Sequence, residues 1–246
     1  MRRDAVSIHA PSIGGDGTVI AYGHWGRPLL VFPSEQGSPW DYESNGMIGA
    51  ISHLIDEGRV KVYCVESFDA GSWVNKSLPI EERARRHEAY ENWVLDRVVP
   101  FIFDDCGGPT DIMTTGSSFG AYHAANFCLR RADLFPAAIC LSGVYDVGHL
   151  GWGDPGDAVY FNNPMAYVQH MEGDHLDWLR GRASLLLVAG QGMWEDTTGA
   201  LDSTKAFAAL LASKGIRHEL DLWGHDVPHD WPSWRSQIAH HLPRFV

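Results

Sequence analysis

Residues 112–121 read IMTTGSSFGA, an apolar run that passes through the turn Gly-Ser-Ser-Phe-Gly into an alanine-rich segment. The turn matches the pattern Gly-x-Ser-x-Gly, which joins a buried strand to a helix so sharply that the central serine is strained. Its neighbours two positions away must therefore be small. Gly116 and Gly120 are those neighbours when Ser118 is the central residue. The pattern predicts that Ser118 is a nucleophile at the carboxyl end of a strand.

The alternative register, with Ser117 in the centre, conflicts with its neighbours. It would place Thr115 and Phe119 where the turn needs small residues. Position 118 also comes directly before a predicted helix at 119–131, whose first backbone amides favour a developing negative charge. We therefore expect the amide of Phe119 to be one donor of an oxyanion hole.

Strand patterns and helix patterns alternate on both sides of this turn. The predicted strands are 19–24, 29–32, 60–65, 112–115, 138–141, 185–189 and 219–223. The predicted helices are 47–57, 80–103, 119–131, 204–214 and 231–242. The middle strands are continuous apolar runs, which is typical of strands covered on both faces. The alternation predicts one α/β domain over residues 1–246, with a mainly parallel central sheet flanked by helices.

One long stretch, from 148 to about 178, shows neither pattern and is rich in glycine, aspartate, asparagine and aromatic residues. Loops of this length inside compact domains are often lids or binding loops. This one follows a predicted strand, so it could overhang the site. We expect either such a lid or an insertion on the surface with one short helix.

A serine hydroxyl needs a histidine to take its proton and an acid to orient that histidine. Where a Gly-x-Ser-x-Gly turn of this kind carries the nucleophile, the three residues follow one another in the order serine, acid, histidine. The acid is expected after strand 185–189, where Glu195 and Asp196 both qualify. Glu195 is slightly preferred because it stands three residues after Gly192. Asp146, which follows the preceding strand, is the reserve candidate.

The histidine is expected in the loop after the last strand, which contains His225 and His229. His229 lies just before the predicted helix 231–242, with Pro232 in its first turn, where a missing amide is tolerated. Docking of that helix would fix the direction of His229, whereas His225 follows a glycine at the strand end and is freer. We therefore predict that His229 is the base.

The second donor of the oxyanion hole is expected in the loop after strand 29–32. This loop reads Pro33-Ser34-Glu35-Gln36-Gly37. Proline has no amide hydrogen to donate. The backbone amide of Ser34 or of Glu35 is therefore the expected donor beside that of Phe119.

Composition narrows the class of protein. Apolar residues make up 45% of the 246, which is enough for a substantial core in one large domain. The net charge of −12 repels phosphate backbones and anionic membranes, so neither nucleic acid nor a membrane is an expected partner. No apolar run suits a signal peptide or a membrane span, which predicts a cytoplasmic protein. The four cysteines lack Cys-x-x-Cys spacing, so no disulfide or cysteine metal site is expected.

Together these features resemble the α/β-hydrolase superfamily, and within it the putative-esterase branch, which includes esterase D, the mycolyltransferases and other bacterial esterases. The resemblance extends from about residue 19 and is carried by residues 116–120, by the ending HDWPSW at 229–234, and by the strand order between them. It implies a serine esterase that acts through an acyl-enzyme on a small-molecule ester, without a cofactor. The chain departs from the branch where Phe32-Pro33-Ser34 replaces a His-Gly pair in the oxyanion loop.

Other interpretations stay open. An acyltransferase would use the same triad with an alcohol as acceptor, whereas a non-catalytic binding protein on this fold would usually lack a triad member. A metallohydrolase would need His225 and His229 on one helix face, and Pro228 between them argues against a helix there. We therefore expect no metal. Self-association into a homo-oligomer also stays open.

Overall fold

The computed structural model describes residues 1–246 and contains one eight-stranded sheet. The strands are β1 (Arg3–Ala10), β2 (Gly15–Tyr22), β3 (Arg27–Phe32), β4 (Val60–Val65), β5 (Met113–Ser117), β6 (Ala137–Leu141), β7 (Ser184–Ala189) and β8 (Arg217–Leu222). They lie in the order β1-β2-β4-β3-β5-β6-β7-β8. Strands β3 to β8 are parallel, and β1 and β2 are antiparallel to their neighbours. A mainly parallel sheet is therefore present, as the sequence predicts.

Helices cover both faces of this sheet. They are α1 (Asp41–Ser44), α2 (Met47–Ala50), α3 (Ser52–Asp56), α4 (Ile80–Trp93), α5 (Val99–Asp105), α6 (Phe119–Arg130), α7 (Asp157–Asn162), α8 (Pro164–His170), α9 (Gly173–Arg182), α10 (Ala200–Lys214) and α11 (Trp231–His241). Alternate residues of β3 point to opposite sides of the sheet. Leu30 and Phe32 belong to a cluster of 36 buried residues, and Leu29 and Val31 to one of 22. This two-sided burial explains the continuous apolar runs of the central strands.

Strand β1 is the one strand that the sequence analysis missed. It pairs with β2 at the edge of the sheet, and its residues alternate between exposed and half-buried. The apolar side chains Val6 and Ile8 mark this alternation, but the polar and charged residues Asp4, Ser7 and His9 beside them weaken the pattern. An edge strand is covered on fewer sides than a central one, so its sequence carries less apolar signal.

Two predicted helices are interrupted in the structure. The segment 80–103 forms α4, then a π-helical turn at Val94–Val98, and then α5. Pro100 follows the π turn and has no amide hydrogen, so the regular hydrogen-bond ladder cannot continue through it. The segment 47–57 is broken at Ile51, whose φ of −114° and ψ of 11° leave the helical range.

The segment 148–178, expected to be irregular or to hold one short helix, contains α7, α8 and most of α9. Its start is tied to α4. The carboxylate of Glu81 accepts hydrogen bonds from the backbone amides of Gly156, Ala158 and Val159, at 2.9, 3.1 and 3.1 Å.

No helix of the protein is both long enough and apolar enough to cross a membrane.

Candidate active site

The turn between β5 and α6 holds Ser118 in a strained conformation, with φ of 55° and ψ of −121°. A side chain on Gly116 would overlap the backbone of Gly120, and a Cβ on Gly120 would lie 2.5 Å from the carbonyl oxygens of Phe32 and Pro33. Both glycines are therefore required by close backbone approach. The same contact places the loop after β3 beside the helix that begins after Ser118.

The imidazole of His229 lies at hydrogen-bond distance from Ser118, with 3.0 Å between Nε2 and Oγ. The helix that follows holds the ring in place. Asp230 caps α11 by accepting from the amide of Ser233 at 2.9 Å, and the buried ring of Trp234 meets the imidazole edge to face at 5.0 Å. Docking of α11 thus fixes the direction of His229, as expected from its position before the helix.

Glu195 is fully buried and lies behind His229, with 3.2 Å between Oε2 and Nδ1. Its other oxygen, Oε1, accepts from the hydroxyl of Ser142 at 2.5 Å and from the amide of Gly190 at 3.2 Å. Because an ionised carboxylate only accepts hydrogen bonds, Nδ1 of His229 carries the hydrogen. Nε2 is then free to accept from the hydroxyl of Ser118, which is the arrangement that a general base needs.

Backbone hydrogen bonds join the loop of the acid to the loop of the histidine. They run from Gln191 to Gly224, from Gly192 to Val227 and from His229 to Met193, at donor–acceptor distances of 3.2, 2.9 and 3.0 Å. A side chain on Gly190 would overlap the carbonyl of Val227, so this close approach needs glycine. The separation of Glu195 and His229 is therefore set by main chain, which is less variable than side-chain contacts alone.

Ser142 is a member of this network that the sequence analysis missed. It follows β6, adopts φ of 51°, and joins two buried groups: its hydroxyl donates to Glu195 and accepts from Nε1–H of Trp234 at 3.2 Å. The available signal was a polar residue directly after the buried apolar strand β6. Strand ends of this kind collect at the edge of a parallel sheet where functional residues lie.

The competing acidic and basic residues lie elsewhere. Asp196 is exposed and its carboxylate accepts from the amide of Thr197. Asp146 accepts from Asn163 and from its own loop. His225 is exposed and its ring makes no hydrogen bond within the protein. The structure thus brings Ser118, His229 and Glu195 together, and leaves the three competitors outside this contact.

Among the backbone amides near Ser118, those of Phe119, Ser34 and Glu35 have no partner within the protein. The next two amides of the loop after β3 are occupied. That of Gln36 donates to Asp69 at 3.3 Å, and that of Gly37 donates to the carbonyl of Ser34 at 2.8 Å. The loop therefore offers the two amides that the sequence predicts, and no others among its first four donors.

Residues 225–229 are a short turn followed by irregular backbone and not a helix, so His225 and His229 do not share a helix face. The structure contains no group of three or more histidine, cysteine, aspartate or glutamate side chains that could hold a metal ion. The spacing of the two histidines thus lacks the geometry on which a metal site would depend.

Comparison with known proteins places the chain in context. The family model described as "Putative esterase" matches residues 41–245, and no curated protein sequence matches the chain. Similar solved structures include a ferulic acid esterase (TM-score 0.73, 16% identity, 99% of this chain and 96% of that chain). Others are MPT51 from Mycobacterium tuberculosis (0.75, 14%, 99% and 97%) and an S-formylglutathione hydrolase from Agrobacterium tumefaciens (0.72, 13%, 98% and 93%). At these identities the likeness concerns the fold, and the α/β-hydrolase fold predicted from sequence is confirmed.

Proposed function

The chain belongs to the putative-esterase family. From that premise we propose that it is a serine hydrolase of carboxylic esters, with Ser118 as its nucleophile, His229 as its general base and Glu195 as the acid that orients the base. The contact of 3.0 Å between Ser118 Oγ and His229 Nε2 carries the proposal. It is supported by the strained turn at Ser118 and by the buried carboxylate behind the imidazole.

In this mechanism Ser118 Oγ attacks the ester carbonyl carbon while His229 Nε2 takes the hydroxyl proton. The carbonyl oxygen becomes an oxyanion, for which the amide of Phe119 and that of Ser34 or Glu35 are the proposed donors. Collapse of the tetrahedral intermediate breaks the bond to the alcohol oxygen, which receives the proton from His229. The product at this stage is an acyl-enzyme on Ser118.

Water then attacks the acyl-enzyme by the same steps, with His229 taking the proton of water and returning it to Ser118. Glu195 stays ionised throughout and stabilises the imidazolium that forms twice in each cycle. Its Oε1 is held by Ser142 and Gly190, so Oε2 is directed at Nδ1 of His229. An alcohol in place of water would give ester exchange, the reaction of an acyltransferase.

The first test uses p-nitrophenyl esters of increasing acyl length, with glycerol added as a competing acceptor. We expect hydrolysis of at least the short esters, with release of p-nitrophenol and free acid. If glycerol diverts most of the acyl group into a glycerol ester at millimolar concentration, the acyltransferase interpretation replaces the hydrolase. If no ester of the series is cleaved and no fluorophosphonate label is taken up, the proposed function is wrong.

A second test separates the two adjacent acids. Glu195→Gln is expected to lower kcat by about 10²- to 10⁴-fold, because the amide group no longer holds the required tautomer of His229. Asp196→Asn is the matched control. Its carboxylate is exposed and bonded to Thr197, so we expect kcat to stay within about 2-fold. Steady-state kinetics on one short ester distinguish the two acids. Equal small effects of both variants would instead assign the orienting acid to Asp146.

A further inference from the structure

A second buried pair of a carboxylate and a histidine lies beside the proposed oxyanion hole. Asp69 and His123 are each 1% exposed, and His123 Nε2 lies 3.0 Å from Asp69 Oδ1. His123 Nδ1 is buried without a partner. Since the carboxylate accepts hydrogen bonds, Nε2 carries the hydrogen and the imidazole donates to Asp69. The proposed catalytic steps use neither residue.

The other carboxylate oxygen of Asp69 reaches the oxyanion loop. Oδ2 accepts from the backbone amide of Gln36 at 3.3 Å and from the hydroxyl of Ser67 at 2.7 Å. Gln36 has φ of 54°, in the left-handed region that a residue other than glycine seldom adopts. A strained residue of this kind persists only when its surroundings hold it. The bond to Asp69 is one such restraint.

The pair therefore connects the two halves of the proposed oxyanion hole. His123 lies on α6 one turn after Phe119, and the ring of Phe119 packs against its imidazole at 5.1 Å. Asp69 holds Gln36, which follows Ser34 and Glu35 directly. One side of the pair is thus attached to the helix that supplies the first amide donor, and the other side to the loop that supplies the second.

The pair is buried among aromatic rings. The rings of Phe32, Tyr90, Tyr122 and His87 lie within 6 Å of the His123 ring. Burial lowers the pKa of His87 well below its usual range, with the charges of His123 and Arg130 adding to the effect. A neutral His87 does not compete for Asp69, and hydrogen bonds are electrostatically stronger in such a low-dielectric setting.

We propose that Asp69, held by His123 and Ser67, is a positioning residue that fixes the Ser34–Glu35 amides relative to the amide of Phe119. The inference rests on the proposed function, because it assigns Asp69 a task in stabilising the oxyanion. Donors of an oxyanion hole act on the transition state more than on the bound ester. Loss of their alignment therefore lowers kcat and leaves KM nearly constant.

The main variant is Asp69→Ala. It removes the bond to Gln36, so kcat on p-nitrophenyl acetate is expected to fall by about 10- to 100-fold, which is less than the loss of a whole donor. KM should change by less than about 3-fold. A trifluoromethyl ketone, whose adduct with Ser118 carries an oxyanion, should lose affinity in parallel with kcat/KM. If Asp69 had only a structural role, the affinity for the ketone would not fall in proportion to kcat/KM.

Two further variants keep the test informative if Asp69→Ala does not fold. Asp69→Asn retains an oxygen for the Gln36 amide and should recover most of the lost kcat. Ser67→Ala removes one of the bonds that orient Oδ2 and should lower kcat by about 2- to 5-fold, again with KM constant.

Glu91→Gln is the matched control. Glu91 is a buried carboxylate on α4 that is bonded to Arg130 of α6, the helix that carries His123, and it makes no hydrogen bond to the oxyanion loop. Its kcat should stay within about 3-fold of the parent. The inference is overturned if the Asp69 variants keep kcat, if kcat falls while the affinity for the ketone does not, or if Glu91→Gln shows the same pattern. An inactive, unlabelled parent protein would instead contradict the proposed function.

Discussion

Replacement of Ser118 by alanine is expected to lower kcat for ester cleavage by about 10³-fold or more, and to abolish labelling by a fluorophosphonate probe. Without the hydroxyl no acyl-enzyme can form, so only substrate binding and oxyanion stabilisation remain to assist attack by water. The variant should fold, because alanine removes one side-chain atom at a half-buried position and leaves unchanged Gly116 and Gly120, whose close backbone approach the turn requires. Kinetics on a short p-nitrophenyl ester and gel-based labelling give the two measurements.

Ser117→Ala is the control for this prediction, since the two serines are adjacent and only their direction differs. Ser117 is the last residue of β5, is buried, and makes no hydrogen bond to His229. We expect this variant to keep both the labelling and most of kcat. Labelling of Ser118→Ala together with its loss in Ser117→Ala would show that the turn is centred one residue earlier.

The turn at Ser118 could be predicted because its determinants are local. Gly116, Ser118 and Gly120 lie within five residues, and the steric demand that links them is readable in sequence. The central strands were equally readable, because burial on both faces requires continuous apolar runs. His229 could be preferred over His225 as the base because Pro232 and two tryptophans in the following helix indicate where that helix begins and which side of it is buried.

Only a slight preference for Glu195 over Asp196 could be drawn from the sequence, because neighbouring residues in a turn point in different directions and spacing does not reveal which one faces the interior. In the structure Trp194 adopts φ of 72°, and this left-handed turn directs the next side chain, Glu195, into the interior. Asp196 then faces solvent. A left-handed tryptophan is uncommon, so no sequence pattern would have indicated it.

Contacts between residues far apart in the sequence could not be predicted either. Ser142 meets Glu195 across 53 positions of sequence, and Asp69 meets His123 across 54. Each of these polar residues looks ordinary in its own segment. Their association follows from the order of the parallel strands in the sheet, which brings the carboxyl ends of β4, β5, β6 and β7 to one edge. Only the fold supplies that information.

Replacement of His229 by alanine is the second change from which we expect a large effect, a fall in kcat of about 10³-fold or more. Without the imidazole no group near Ser118 Oγ takes the proton as the hydroxyl attacks. The substitution leaves the surrounding frame in place, because the amide of residue 229 still donates to Met193 and Asp230 still caps α11. Near-ultraviolet circular dichroism and thermal unfolding should therefore remain close to those of the parent.

His225→Ala is the comparison that gives this result its meaning, since the two histidines share one loop and differ in their surroundings. The ring of His225 is exposed and makes no hydrogen bond within the protein, whereas that of His229 lies between Glu195, Ser118 and Trp234. We expect His225→Ala to keep kcat within about 3-fold of the parent. Steady-state kinetics of the two variants, measured side by side on the same ester, test the assignment. If His225→Ala is the inactive variant and His229→Ala keeps most of its rate, then His225 is the base, and the loop must rearrange when substrate binds.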